Sequence, residues 1–524
     1  MRQNLVAVDV GTASARAGIF DPTGRLLARS THPILMQRPR ENHAEHDSTD
    51  IWNAVCIAVK AALADAGVLP QSVAAIGFDA TCSLVIRGAQ GEPVSVSVTG
   101  EDRFDTIVWL DHRAISEADR LTASGHRVLD FAGNSVSPEM QMPKLMWLKT
   151  HMPASWGRMS FAFDLADFLT WKATGSTKRS NCTQTAKWNF LAQENPGWQA
   201  DYLELAGLAD LKERASLPET TVMPGESIGP LSPEAAMELG LDTGCQVAAG
   251  MIDAYAGALG ALGGCLSDDV GRHVALIAGT SSCLVAMSER QMPGHSLWGP
   301  YWQAILPGHW LVEGGQSATG ALLDHIVRMH AAGGEPDTAL HARIVARVTE
   351  LRALEGEAFA ERLHVLPDFH GNRSPLADPH AVGVISGLTL DTSFDSLCRL
   401  YWRTAVAIAL GARHVLDAME RFGYSVESLH VTGGHVKNPL LMELYADVTG
   451  KRIVVPATAD AVLLGTAMTA AAAGGVHASI VAAGAAMYPG NAEISGNPAL
   501  TPRYQRDYRR FLAMYRHRQE LESL

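Results

Sequence analysis

The chain has 524 residues, 47% hydrophobic and 19% charged, which is the balance of a soluble globular protein too long for one core and suited to two or three domains. Its formal net charge of −13 argues against nucleic acid or an anionic membrane as the main partner, since both require a basic face. An anionic ligand such as a nucleotide stays open, because backbone amides and a metal ion can carry that local work. The seven scattered cysteines form no CxxC pair and read as reduced thiols of a cytoplasmic protein. Asp9 comes too early for a signal peptide to be expected.

The first segment, "LVAVDVGTASARAGIFDPTGRLLARST", reads as strand, tight turn, strand, turn at Asp21-Pro22-Thr23-Gly24 and strand, a three-stranded antiparallel meander. A helix is expected over 48–66, with Asp47 or Ser48 as its cap and Gly67 past its end. The next apolar run, 73–78, stops at an acid in "GFDATCSLV". The 122–217 region is rich in Trp, Met and His, with helical spacing in "KLMWLKT" and "DLADFLTWKATG".

From His273 the opening pattern returns, as "HVALIAGTSSCLVAMS" is an apolar strand, a Gly-Thr-Ser-Ser turn and a second strand. Two such hairpins, one per half of the chain, indicate a duplicated fold. A long helix follows over about 392–421, with Phe394, Leu397, Tyr401, Ala405, Ile408, Ala412, Val415 and Met419 on one stripe. A buried strand at 429–432 ends at Gly433-Gly434, followed by a helix over 439–449, a strand over 452–455 and a helix over 460–473. Strands alternating with helices predict an α/β fold with buried sheets. The uncharged stretch 463–487 is expected to be a buried helix with a following loop rather than a membrane span. The segment from Ala499 onward reads as a surface helix of open role.

A Gly-Thr turn between two strands points amides and a hydroxyl into one concavity, which suits phosphate oxygens. Asp9, close to such a turn at Gly11 and Thr12, would repel phosphate unless a divalent cation lay between, so it reads as a Mg²⁺ ligand, directly or through water. Arg16 could reach the same phosphates from the return strand. A strand-end aspartate bonding turn amides is the structural alternative, which the second hairpin at Gly279, Thr280 and Ser281 weakens.

DxGTxxxR near the N-terminus, AGTSS in the second half and a TGG strand end before an Asn-initiated helix resemble the FGGY carbohydrate kinases of the actin, Hsp70 and hexokinase superfamily. The resemblance spans about residues 5–475; "GFDATCSLV", "DHRA", "EGGQSATG" and "DFHGNRSPLADP" are most similar to the ribulokinase branch, closest to D-ribulokinases. It implies an α/β fold of two duplicated ribonuclease H-like domains with a cleft between them, residues 1–262 on the sugar side and 263–524 on the adenine side. It also implies ATP and Mg²⁺ as cofactors.

The resemblance carries roles to single residues. Asp253 in "AGMIDAYAGALG" matches the catalytic aspartate, although a plain helix cap would look the same. Glu313 and Lys187 match sugar contacts, Cys82 lies in the loop lining the sugar pocket, and Asp79, Asp111 and Arg113 are weaker candidates for which a buried ion pair or cap is at least as expected. Gly433 and Gly434 would let a flat adenine approach the backbone, which a Cβ would prevent, and Asn438 fits an adenine-side contact or a simple N-cap.

Other signals are declined. His43 and His46 in "ENHAEHD" are not read as a metal cluster, "ALGALGG" is not a dinucleotide fingerprint, and "HGNRSP" reads as a loop near the cleft mouth with no assignable role. The expected activity is transfer of the ATP γ-phosphoryl group to the terminal hydroxyl of a pentulose, D-ribulose foremost. L-ribulose, ribitol, erythritol and xylulose kinases are alternatives, and an actin- or Hsp70-type nucleotide-switched binding protein is the remote one. The expected partners are the sugar and ATP, with no nucleic acid and no membrane, and a homodimer is left open.

Overall fold

The computed structural model describes residues 2–267, 269–292, 294–356 and 359–524. The chain divides into two compact units, one of residues 1–270, 287–312 and 458–490, the other of 271–286, 313–457 and 491–524.

The sheet of the first unit runs Ser227–Pro230, Gln246–Ala248, Val73–Ala80, Asn4–Val10, Ser14–Phe20, Leu26–Pro33, with Met251–Ile252 also paired to Val73–Ala80. Val73–Ala80 is buried throughout and Asn4–Val10 nearly so, as befits parallel neighbours covered on both faces. The expected meander is present, Asn4–Val10 and Leu26–Pro33 each pairing antiparallel with Ser14–Phe20. Helix Ser48–Ala66 is capped by the Asp47 carboxylate and closed by Gly67 at φ 63°.

Helix Ala461–Ala473 packs on four sheet strands of this unit, Asn4–Val10, Val73–Ala80, Gln246–Ala248 and Ser14–Phe20, and on helix Asp253–Leu262. The two backbones approach so closely that a Cβ on Gly260 would lie 1.9 Å from the Ala461 carbonyl oxygen, and one on Gly465 1.9 Å from that of Ala256. Gly260 of "ALGALGG" therefore serves helix packing. The stretch after residue 473 corrects the expected loop: a short turn leads into a second helix, Ile480–Met487, capped by Ser479. Ala- and Gly-rich composition hid the break, because the Ser479 cap sits inside a long uncharged run.

Among the strands with residues in the second unit the order is Trp310–Gln316, Ser282–Ser288, His273–Ala278, Ser428–Thr432, Arg452–Pro456, Asn491–Ile494, and this seven-stranded sheet begins with Trp298–Trp302 beside Trp310–Gln316. His273–Ala278 has an antiparallel hairpin partner and a parallel neighbour, the same arrangement as Asn4–Val10, which is the structural form of the duplication. Helix Phe394–Arg421 buries most of its length.

The C-terminal helix, Thr501–Glu522, lies at the surface as expected but buries one stripe. It docks Tyr504, Tyr508, Phe511 and Tyr515, and its buried charges are paired, Arg403 to Asp507 at 2.8 Å and Arg518 to Asp368 at 2.7 Å. High charge on the remaining face masked this stripe in the sequence.

Candidate active site

In the first unit three acids stand in one row. Asp9 and Asp79 are register partners near the ends of parallel strands, Met251 pairs beside Asp79, and Asp253 opens the helix that directly follows. The carboxyl ends of parallel strands are where open α/β sheets place their ligands. Asp9 and Asp79 are buried, and Asp253 is half-buried with its Oδ1 accepting from the Ala254 amide at 2.7 Å. Burial pushes the Asp9 carboxyl up to about 7; Arg16 opposes this, and Asp253 and Asp460 add to it. Asp79 is raised as well, by burial and then by Asp9.

Arg16 stands opposite Asp9 in the hairpin and donates to its carboxylate, with a second bond to Asp460 at 3.1 Å. In this arrangement two guanidinium nitrogens are each engaged by an acid, while the side chain stays one-third exposed. Asp460 caps helix Ala461–Ala473, and Thr466 on that helix donates to Asp79. Neither residue carried a sequence signal, since each meets its partner across almost four hundred residues or more. Asp79 Oδ1 is buried with no hydrogen-bond partner among the described residues, and a hard cation suits this all-oxygen donor set.

The Gly11 amide is spent inside its own turn on Ser14 O at 3.0 Å. The Thr12 hydroxyl oxygen accepts from Trp109 Nε1 at 2.9 Å, which leaves its proton to donate. Trp109 is a residue that sequence reasoning missed.

The loop after Val73–Ala80 carries Cys82, whose buried thiol is pushed up to about 12, with Lys187 and Lys144 opposing. Lys187 ends helix Asn181–Lys187, is buried, and places its ammonium 4.5 Å above the Trp298 ring. Gln141 Nε2 bridges the Cys82 carbonyl at 3.1 Å and Asp164 at 2.9 Å. Asp164 is raised to about 7 by burial and Asp167, against Gln141 and both lysines. Gln141, Lys144 and Asp164 are further missed members of this polar cluster. The signal for Gln141 and Lys144 was an amide or charge inside an apolar helical pattern, and for Asp164 an acid ending the short apolar strand Phe161–Asp164.

Asp111 and Arg113 lie in a separate buried network. Arg113 donates to Asp111 at 2.7 and 2.8 Å, to Glu45 at 2.8 Å and to Val96 O at 2.7 Å, while Asp111 accepts from the Ala44 amide at 2.6 Å. This is the ion-pair arrangement weighed against a sugar role. His43 lies 3.9 Å from Glu45 and edge-on to Trp147, at the margin of the same network.

In the second unit the Gly279 amide closes its turn on Ser281 O at 2.8 Å. The turn carbonyls hold the start of helix Gly320–Met329: Gly279 O accepts from Gly320 N at 3.0 Å, and Thr280 O from Thr319 N at 2.9 Å. Thr280 is exposed and Ser281 half-buried. No acid occupies the position equivalent to Asp9, because Ile277 and Ala278 end this strand.

His435 Nε2 donates to Gly279 O at 3.0 Å and its Nδ1 accepts from Tyr445 OH at 2.9 Å, so the neutral tautomer is defined. Burial lowers this imidazole to about 4. Gly433 has φ 91° and a Cβ there would meet Ala278 O at 2.4 Å, so strand packing already requires glycine; Gly434 is exposed, with open space at its Cβ position. Asn438 caps helix Pro439–Thr449 through Leu440 N at 3.1 Å and donates to Tyr401 OH at 3.3 Å. Tyr401 OH in turn bonds His341, which pairs with Asp324 at 2.9 Å. Glu313, buried on strand Trp310–Gln316, accepts from Cys283 Sγ at 3.3 Å.

Comparison with known proteins follows this geometry. The fold is that of sugar kinases: the solved xylulose kinase of Rhodospirillum rubrum superposes with a TM-score of 0.80 over 99% of both chains at 24% identity. Models of the FGGY family of carbohydrate kinases match residues 4–260 with the N-terminal domain and 274–474 with the C-terminal domain. The chain is 42% identical to an FGGY carbohydrate kinase domain-containing protein of Danio rerio, covering 99% of this chain and 98% of the relative. It is 36% identical to a D-ribulokinase of Saccharomyces cerevisiae, covering 89% and 71% respectively. The chain belongs to the FGGY family and is a carbohydrate kinase, with ATP as the phosphoryl donor. Among the described residues no helix is long and apolar enough to cross a membrane.

Proposed function

We propose that this enzyme phosphorylates the terminal hydroxyl of a pentulose, D-ribulose foremost, giving D-ribulose 5-phosphate. The observation that carries the acceptor is the likeness, over most of this chain, to the yeast protein named as a D-ribulokinase. In this reading Asp253 accepts the proton of the sugar hydroxyl as its oxygen bonds the γ-phosphorus and the bond from phosphorus to the ADP oxygen breaks. The position of Asp253 beside Asp9 and Asp79 supports this, because a base at the strand ends lies next to the acids suited to hold a metal.

Asp9, with Asp79, would hold Mg²⁺, directly or through water, and the ion would offset phosphate charge. Thr12 and Thr280 with Ser281 would donate to phosphate oxygens. Gly11 and Gly279 would shape those turns, and Arg16, bonded to Asp9, would reach the same phosphates from the return strand. Cys82, Lys187 and Glu313 would line the sugar pocket, with Asp111 and Arg113 supporting its wall. Gly433, Gly434 and Asn438 would meet the adenine. We further place the boundary of the duplicated halves at 262/263 and the enzyme in the cytoplasm. Sugar-dependent ADP release, with the phosphate located on the product by phosphorus NMR, tests the reading.

A further inference from the structure

Two stretches had no role in the sequence: the "HGNRSP" loop and the C-terminal helix. The structure joins them, within the second unit, to Glu313. Arg373 of the loop is nearly buried; its Nη1 lies 3.4 Å from Cys283 Sγ and 3.9 Å from Glu313 Oε1. Cys283 Sγ in turn donates to that same Oε1. A cation and a thiol thus converge on one carboxylate oxygen and fix the plane in which the other lies. A Cβ on Gly315 would meet the Ser282 carbonyl oxygen at 2.5 Å and Arg373 Cδ at 3.1 Å, so the glycine is required first by the backbone beside it and also leaves room for the arginine.

The loop carrying Arg373 is held from the other side. Asn372 Nδ2 donates to Asp368 Oδ1 and to Tyr515 OH, both at 3.0 Å, and Tyr515 OH donates to Asp368 Oδ1 at 3.2 Å. Arg518 donates to Asp368 Oδ2 at 2.7 Å. Tyr515 of the C-terminal helix therefore holds the residue just before Arg373 directly, and Arg518 holds it through Asp368. We propose that Arg373 is a positioning residue for the Glu313 carboxylate, and that the C-terminal helix, through Tyr515 and Arg518, sets where Arg373 stands. This rests on the reading of Glu313 as a sugar contact. A mispositioned carboxylate weakens sugar binding without touching the nucleotide, which separates this role from a general loss of structure.

The test is steady-state kinetics of the full chain with D-ribulose and ATP. Arg373→Met is expected to raise KM for D-ribulose about tenfold or more while KM for ATP stays within about twofold, and Arg373→Lys, which keeps the cation, to recover most of the loss. In a double-mutant cycle, Glu313→Gln with Arg373→Met should be no worse than Glu313→Gln alone. Tyr515→Phe removes a single hydroxyl and should raise KM for D-ribulose about threefold, and it serves if Arg373→Met does not fold. If Glu313→Gln weakens sugar binding while folded Arg373 and Tyr515 variants leave it unchanged, or if the two losses simply add, the positioning role is wrong and the Glu313 reading stands. If Glu313→Gln itself leaves KM for D-ribulose unchanged, the Glu313 reading fails first and the positioning role with it.

Discussion

Asp9 and Asp79 stand opposite each other on neighbouring parallel strands, both buried, with Asp253 opening the helix after the next strand in the row. Burial raises the first two, with Asp253 and Asp460 adding to the rise of Asp9 and Asp9 adding to that of Asp79. Such a row costs stability by itself and gains a use when a cation or a transferred proton meets it.

Asp253→Asn keeps the shape and the helix start but removes the proton acceptor. Its kcat for sugar phosphorylation should fall by about 10²–10⁴-fold, with KM for ATP little changed. A coupled ADP-release assay measures this, and near-normal turnover would falsify the role of Asp253.

Thr12→Val removes the hydroxyl whose oxygen is already engaged by Trp109. If the hydroxyl proton goes to a phosphate, one charge-assisted hydrogen bond of about 1.5–3 kcal/mol is lost, and KM for ATP should rise about ten- to a hundredfold with KM for sugar nearly constant. An unchanged KM for ATP would remove Thr12 from the phosphate site.

His435 sits between Gly279 O and Tyr445 OH, and burial lowers it from 6.5 to about 4. A depressed imidazole is neutral in the folded chain while the unfolded chain takes up its proton, so its contribution is present above about 6.5 and is lost as pH falls toward 4. His435→Gln should flatten the dependence of unfolding free energy on pH across that window by about one proton. Parallel denaturation curves for both proteins would contradict the assignment.

Gly465→Ala tests the close crossing of helices Ala461–Ala473 and Asp253–Leu262, where the added methyl would meet the Ala256 carbonyl. Overpacking at backbone contact costs about 1–3 kcal/mol, seen as a lower denaturation midpoint. Because Asp253 opens the second of these helices, kcat should fall too. A variant as stable as the parent would mean that the helices separate freely.

Much of the fold could be read from the chain. Asp47 and Gly67 mark a helix by cap chemistry alone, and the two hairpins show themselves by apolar runs around Gly-Thr turns, because these signals are local. The partners of the site could not. Arg16 meets Asp460, Asp79 meets Thr466, and Thr12 meets Trp109 only through tertiary packing, for which periodicity carries no information. Gly433 shows a different limit: its glycine was legible, but the reason found is the Ala278 backbone beside it. The C-terminal helix was expected, but its buried stripe, which ends in Tyr515 and Arg518, was outweighed by its charged face.

The acceptor sugar is the central question, and one stereocentre or carbonyl separates the rival substrates. A panel of D-ribulose, L-ribulose, D-xylulose, ribitol and erythritol in a coupled ADP-release assay answers it most directly. The expected result is that kcat/KM for D-ribulose exceeds every other by about tenfold or more, with phosphate on the terminal oxygen. A clear preference for a polyol, D-xylulose or L-ribulose, or ATP turnover that no sugar stimulates, would contradict it.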